Sequence, residues 1–153
     1  MLIRSQSLKR TFTIGSLSLI FLLVITASCR DDEDQRVPRI QTDITLNLNL
    51  PEYNDLLNPG GWIYLTGGSR GIIVYRVNND EFSAFDRHCT FNVPDACRVF
   101  VDENSGLTAK DTLCCGSVFE IITGNVVEGP AQFQLQTFRT QFNQNTDLLR
   151  IFN

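Results

Sequence analysis

The stretch from Phe85 to Ala131 constrains the fold most, because it holds four of the five cysteines and its cysteine segments follow strand-like runs. Residues 85–90 contain Cys89, and residues 113–119 contain the adjacent pair Cys114 and Cys115. Residues 123–131 end in Gly129-Pro130-Ala131. The runs before these segments therefore deliver the cysteines into loops, and Gly-Pro predicts a rigid loop after them.

Short runs separated by turn residues fill the chain after residue 40. Residues 40–50 alternate strictly, with Ile44, Leu46, Leu48 and Leu50 on one face, which predicts a half-buried strand. Further strands are predicted at 62–65, 71–77, 81–85, 97–101, 107–113, 118–122 and 148–152, with an alternating run at 133–137 and one helical turn at 53–58. The pattern predicts an all-β antiparallel sandwich or partly open barrel.

Length and composition agree with one soluble domain. A chain of 153 residues with 42% hydrophobic and 20% charged residues can bury a substantial core. The net charge of −4 and the scarcity of lysine argue against a nucleic-acid partner.

The first 28 residues have the pattern of a secretory signal peptide. A basic head (Arg4, Lys9 and Arg10) precedes an apolar run, and small residues lead to Cys29. The segment Thr26-Ala27-Ser28-Cys29 resembles the lipobox of bacterial lipoproteins, in which cleavage precedes a cysteine that is then acylated. The alternative is an uncleaved membrane anchor, for which the run is short and polar in places.

An acidic cluster at residues 31–34 follows Cys29. It is either a solvated linker or, by resemblance, the export tag that sends Bacteroidetes lipoproteins to the cell surface. Residues 29–39 are then a tether, and residues 40–153 form the domain. Removal of three basic residues with the signal leaves a net charge of 10 − 17 = −7. We expect a lipid-anchored outer-membrane protein with the membrane and an envelope protein or ligand as partners.

The two cysteine loops and the Gly-Pro loop resemble the three loops that surround the [2Fe–2S] cluster of Rieske proteins. The motif of that family is Cys-x-His in the first loop and Cys-x-x-His, followed by Gly-Ser, in the second. Alignment on Gly116-Ser117 puts Cys89, Phe91, Thr112 and Cys115 at the four ligand positions. The resemblance implies a Rieske-like fold. Because His88 is the single histidine, we expect no cofactor.

The four cysteines of the domain raise the question of pairing, since an exported protein meets an oxidising compartment. Cytochrome-complex Rieske proteins have a disulfide between the two cluster loops, and the resemblance implies the same for Cys97 and Cys114. Cys89 and Cys115 would then form a second bridge across the cluster site. The competing arrangement is Cys89–Cys114 with Cys97–Cys115.

The leading functional prediction is a non-catalytic binding or structural module of the cell envelope, with disulfide-stapled loops. The family resemblance alone implies the first alternative, electron transfer through a [2Fe–2S] cluster. The second alternative is thiol–disulfide exchange at Cys114 and Cys115. A zinc ion or unusual cluster on His88 and the cysteines is a further alternative, disfavoured because Cys-x-x-Cys spacing is absent.

The remaining polar residues near the loops have simpler interpretations. His88 is expected to be a surface or loop histidine, and Asp86 and Arg87 to form a solvated or ion-paired loop edge. Ser117 is expected to satisfy the turn after Gly116. Gly129-Pro130 is expected to fix how the third loop covers the other two.

Overall fold

A computed structural model describes residues 36–153. This part of the chain contains strands that pair only antiparallel and two 3₁₀ turns, at Pro51–Leu56 and Val93–Asp95. The strands are β1 Asp43–Asn47, β2 Trp62–Leu65, β3 Ile72–Arg76, β4 Phe82–Asp86, β5 Phe100–Val101, β6 Thr108–Lys110, β7 Val118–Glu120, β8 Val126–Glu128, β9 Thr137–Asn143 and β10 Leu148–Phe152. The all-β antiparallel prediction is confirmed.

The strands form two sheets. The larger sheet has six strands in the order β1-β10-β9-β4-β3-β2, and the smaller has four in the order β5-β6-β7-β8. Strand β3 is buried on both faces, since residues 72–75 are all inaccessible. Its β-branched residues suit a strand with apolar neighbours on both sides.

Two apolar clusters use the two faces of β3. Ile73 and Tyr75 pack with residues of the smaller sheet, including Phe119, which places one core between the sheets. Ile72 and Val74 face the other way. Because successive side chains of β3 point to opposite faces of the sheet, this one strand contributes to both cores.

The larger sheet is curved. Its edge strands β1 and β2 both contribute to the second cluster, through Leu46 on β1 and through Ile63 and Leu65 on β2. Because two edges can share one core only if the sheet bends around it, this sheet is the partly open barrel that the strand pattern predicted.

Several predicted strands differ in extent. The first ends at Asn47, so Leu50 is exposed at the start of a 3₁₀ turn instead of lying on the buried face. Residues 97–99 and 133–136 are loop, and β8 and β9 were not predicted. Strand β9 alternates, with Phe138 buried and exposed neighbours, but its apolar positions are too few for a clear sequence signal.

The predicted signal peptide, the lipidated Cys29 and most of the acidic tether lie outside the described residues. Within residues 36–153, no helix has the length and apolar character needed to cross a membrane.

Candidate functional site

Three loops converge next to the smaller sheet. Loop 1 (residues 87–99) follows β4, loop 2 (residues 111–117) joins β6 to β7, and loop 3 (residues 129–136) joins β8 to β9. The Thr90 hydroxyl on loop 1 donates a hydrogen bond of 2.5 Å to the carbonyl oxygen of Phe133 on loop 3. The Ala131 N–H on loop 3 donates to the Ser117 hydroxyl oxygen on loop 2, at 2.9 Å. This arrangement of two cysteine loops and a Gly-Pro loop confirms the expected Rieske-like architecture.

A disulfide between Cys97 and Cys114 joins loops 1 and 2. The two residues are separated by 17 positions and their Cα atoms by 6.3 Å. Cys97 is buried, whereas Cys114 is exposed. The first predicted pairing is therefore present, and the crossed arrangement is not the one formed in this structure.

Cys89 and Cys115 are free thiols that face each other. Their Sγ atoms lie 3.6 Å apart, well beyond the bonded distance of about 2.05 Å. Cys89 is fully buried and Cys115 is half-buried. The two residues meet where the second bridge was predicted, and the bridge itself stays a prediction.

Asp111 is a buried carboxylate beside both cysteine pairs. One of its oxygens, Oδ1, accepts hydrogen bonds from the N–H groups of Leu113 (3.1 Å) and Cys114 (3.0 Å). The other, Oδ2, lies 3.2 Å from the Cys115 sulfur, whose thiol donates to it. Asp111 was not predicted as a site residue, although an aspartate at the end of a strand commonly starts a turn by accepting such N–H bonds.

The pKa values of the site follow from these contacts. Burial tends to raise the pKa of Asp111, but the hydrogen bonds from the Cys114 N–H and the Cys115 thiol lower it below its usual value. Burial also raises the pKa of the Cys89 thiol well above its ordinary range, and Asp111 adds to that rise. The site therefore combines an ionised carboxylate with a protonated buried thiol at neutral pH.

Asp86, Arg87 and His88 are buried, so the prediction of a solvated loop edge is wrong, and His88 is a loop histidine that does not lie on the surface. The Asp86 carboxylate accepts hydrogen bonds from the N–H groups of Ser69 (2.5 Å), Arg70 (3.1 Å) and His88 (2.9 Å). A buried carboxylate is stable there because these donors replace its hydration. Sequence alone could not find donors located 16 or 17 residues away.

The two ring nitrogens of His88 both have partners. Nε2 lies 2.9 Å from the carbonyl oxygen of Val93 and donates to it, and Nδ1 lies 2.8 Å from the Ser69 hydroxyl and accepts from it in the neutral ring. His88 therefore stabilises loop 1 through the hydrogen bonds of its side chain. Its nitrogens are not directed toward the cysteines.

The Arg87 guanidinium lies against two aromatic rings. Its carbon is 3.7 Å from the ring centroid of Tyr64 and 4.8 Å from that of Phe100, and Nε donates to the carbonyl oxygen of Val99 at 3.1 Å. Burial lowers the pKa of this guanidinium. The contact fixes the start of loop 1 against β2 and β5.

Ser117 contributes more than the expected turn contact. It is fully buried, and its hydroxyl oxygen lies 3.0 Å from the Cys115 sulfur while accepting from the Ala131 N–H. The Gly129–Pro130 peptide bond next to Ala131 is cis. Ser117 thus joins loop 3 to the thiol pair.

The residues at the cluster position do not fit a [2Fe–2S] cluster of the Rieske type. Phe91 has no ligand atom, Thr112 offers only an exposed hydroxyl, and both ring nitrogens of His88 are engaged. Cys89 and Cys115 remain, 3.6 Å apart, which is the spacing of two sulfurs on one metal ion. A second iron would have no histidine and at most Asp111 as a protein ligand.

Each loop presents one large exposed apolar side chain. Phe91 on loop 1 is 41% exposed, Leu113 on loop 2 is 74% exposed and Phe133 on loop 3 is 63% exposed. We call these three residues the apolar tip. The apolar tip was not predicted from the sequence, because exposure of Phe133 depends on residues 133–136 forming a loop.

Comparison with known proteins gives structural similarity only. No family model and no curated protein sequence matches the chain. The plasma membrane Rieske protein of Synechocystis PCC 6803 superposes with a TM-score of 0.47 at 22% identity, over 60% of this chain and 85% of that one. A complex of oxygenase and ferredoxin in carbazole 1,9a-dioxygenase gives 0.48 at 18% identity, over 75% and 94% of the two chains. The carbazole 1,9a-dioxygenase ferredoxin of Nocardioides aromaticivorans gives 0.45 at 14% identity, over 76% and 96%. The chain is similar to these proteins in fold, and similarity at this level establishes no activity.

Proposed function

We propose that this chain is an exported, lipid-anchored protein of the bacterial outer membrane whose Rieske-like domain binds an envelope protein without catalysing a reaction. The observation that carries the proposal is the loss of cluster ligands: Phe91 and Thr112 occupy two of the four cluster positions, and both ring nitrogens of His88 are engaged elsewhere. The Cys97–Cys114 disulfide links loops 1 and 2 covalently and needs no cluster to do so. Stable loops without redox-active ligands suit recognition better than electron transfer.

Export is supported by sequence and chemistry together. The basic head, the apolar run and the small residues before Cys29 favour cleavage and acylation of that cysteine. Disulfides persist in oxidising compartments, and the Cys97–Cys114 bond agrees with such a location.

The hydrogen-bonded loops support a binding role. Buried Asp86 and Ser117 each tie loop backbone to a neighbouring segment, and buried Asp111 holds the turn of its own loop. A preorganised surface loses little conformational entropy on association, so these ties favour recognition by the loops.

The apolar tip is the surface with which we expect the partner to make contact. The three loops contain only two basic residues, buried Arg87 and exposed Arg98, and both lie near the ends of loop 1. A tip without basic residues, on an acidic protein, favours an apolar protein surface over nucleic acid or anionic lipid headgroups.

The third candidate function, thiol–disulfide exchange, has less support. A thiolate is the attacking species in that reaction, and burial raises the pKa of Cys89 and keeps it protonated. Cys114 is already in a disulfide, and its neighbour Cys115 is half-buried against Asp111.

Iron and acid-labile sulfide analysis of anaerobically purified full-length protein tests whether the protein contains a cluster that could transfer electrons. We expect a colourless protein without stoichiometric iron, and a Cys97–Cys114 linked peptide in non-reduced digests. A brown protein with stoichiometric iron and sulfide would refute the proposal and restore the electron-transfer alternative.

Photocrosslinking in the cell envelope tests the contact surface. A photoreactive amino acid is placed separately at Phe91, Leu113 and Phe133, and at two exposed apolar control positions, Leu57 (48% exposed) and Leu148 (39% exposed). We expect crosslinks to one envelope protein from the apolar tip and none from the controls. Equal labelling from both sets would reject the tip as the binding surface.

A further inference from the structure

We propose that Cys89, Cys115 and Asp111 form a binding site for a single zinc ion when the two thiols are not joined in a disulfide. The site goes beyond the proposed function, which needs no metal. One ligand atom from each of these residues lies within 4.8 Å of the others, and two of the three residues are buried.

The distances suit tetrahedral zinc. With Zn–S bonds of about 2.3 Å, two sulfurs on one zinc ion lie about 3.8 Å apart, and the Cys89 and Cys115 sulfurs are separated by 3.6 Å. A zinc-bound carboxylate oxygen lies about 3.5 Å from such a sulfur, and Asp111 Oδ2 is 3.2 Å from Cys115 Sγ. The ion would need only small side-chain shifts.

Asp111 is already oriented as a ligand. Its Oδ1 is held by the N–H groups of Leu113 and Cys114, which leaves Oδ2 directed at the thiols. The Ser117 N–H also points to the Cys115 sulfur at 3.4 Å and would stabilise a metal-bound thiolate. Outer hydrogen bonds of this kind orient the ligands of structural metal sites.

The charges select the kind of ion. On binding, the two thiols release their protons to solvent, and the two charges of zinc offset the two thiolates. Sulfur ligands favour zinc over magnesium or calcium, and three protein ligands leave the fourth tetrahedral position to water. His88 does not take that position, because Val93 and Ser69 hold its ring nitrogens.

The zinc site and the predicted second bridge exclude each other. A Cys89–Cys115 disulfide has no thiolate to offer a metal, and two metal-bound thiolates cannot be joined to each other. Either state would link loops 1 and 2 beside Cys97–Cys114. The zinc ion therefore acts as a structural clamp in the dithiol form.

Cobalt substitution tests the site in full-length protein purified anaerobically without reductant. Alkylation and mass spectrometry first establish that Cys89 and Cys115 are thiols. We expect one Co²⁺ per chain, with thiolate-to-cobalt charge-transfer absorption and the strong visible bands of tetrahedral cobalt, both lost when Zn²⁺ displaces it. Asp111→Asn should weaken binding at least about tenfold, as loss of a metal contact commonly does.

Two variants serve as comparisons. Asp102→Asn, at a half-buried aspartate in the β5–β6 turn, should bind cobalt like the wild type. Cys115→Ser changes a half-buried ligand with little change in size and should abolish the charge-transfer band. Near-ultraviolet circular dichroism verifies that each variant is folded, so that loss of binding is not loss of structure.

Any other result would contradict the zinc site, the proposed function or both. Free thiols without a cobalt spectrum, or unchanged binding by folded Asp111→Asn, would overturn the site. Isolation with Cys89 and Cys115 already joined would overturn the zinc clamp, because the second bridge would then occupy the site, while leaving the proposed function intact. Stoichiometric iron and sulfide would overturn both.

Discussion

At the scale of single residues, two buried aspartates organise the cysteine loops. Asp86 and Asp111 are both fully buried, and each accepts hydrogen bonds from the backbone N–H groups of a nearby turn. Within residues 36–153, every buried side-chain nitrogen or oxygen has a hydrogen-bond partner. The loops are therefore fixed by polar contacts as well as by apolar packing.

Replacement of Asp86 by asparagine should destabilise the domain. Asparagine keeps the shape but has one acceptor oxygen and no charge, so at least one of the N–H groups of Ser69, Arg70 and His88 loses its partner. We expect the free energy of unfolding to fall by about 2–3 kcal/mol in urea titrations. The control Asp55→Asn, at an exposed position, should stay within about 0.5 kcal/mol of the wild type. Equal effects of the two substitutions would contradict this role of Asp86.

The buried Cys89 thiol should make stability fall at alkaline pH. Its folded-state pKa lies above the unfolded value of about 8.5, so the native protein keeps a proton that the unfolded chain releases. The contribution of Cys89 to the free energy of unfolding is therefore fully present below about pH 8.5. Above that pH it declines by up to about 1.4 kcal/mol per pH unit.

The measurement compares the free energy of unfolding of the metal-free dithiol form with that of Cys89→Ser between about pH 7 and pH 10.5. The wild type should show the steeper decline. Parallel curves would mean that Cys89 titrates alike in both states.

At the scale of elements, the β7–β8 turn packs directly on β4. Gly124 in this turn has φ +76°, and a Cβ atom there would approach Cε1 of buried Phe85 to 2.6 Å. The carbonyl oxygen of Gly124 also accepts from the Leu135 N–H at 2.9 Å. The smaller sheet is thus held against the larger one through a turn that needs glycine for both conformation and space.

Two glycine substitutions separate these requirements. Gly106 has a similar φ of +63°, but nothing lies within 4 Å of a Cβ atom built there. Gly106→Ala should therefore lower the free energy of unfolding by about 1 kcal/mol, because alanine disfavours the left-handed backbone conformation. Gly124→Ala should lower it by about 2–4 kcal/mol, because its Cβ atom would also clash with Phe85. Equal losses in thermal or urea unfolding would show that the turn can move away from β4.

At the scale of the whole molecule, the Cys97–Cys114 disulfide limits the freedom of the unfolded chain. Its ends are 17 residues apart. Loop-closure entropy for this length predicts a stabilisation of about 3 kcal/mol, and the Cys97→Ala, Cys114→Ala double variant should lose about that amount. The difference from wild type should vanish when both are measured with excess reductant. If it persists there, the loss comes from packing of Cys97 instead.

The sequence by itself determined the strand-rich class and most strand positions. Residues 62–65 match β2, and the β3–β4 hairpin and β10 follow from alternation, β-branched residues and turn dipeptides. The loop order and the Cys97–Cys114 pairing followed from the motif resemblance. These features are local, or depend on residue types at fixed spacing, so they can be read along the chain.

Only the tertiary structure decided which polar residues are buried and which apolar residues are exposed. Asp111 approaches the thiols because two loops meet, and Asp86 is buried because a turn 16 residues earlier supplies its donors. Phe133 is exposed because residues 133–136 leave the sheet before β9 begins. Burial and hydrogen-bond partners depend on contacts between distant segments, and such contacts leave no periodic signal in the sequence.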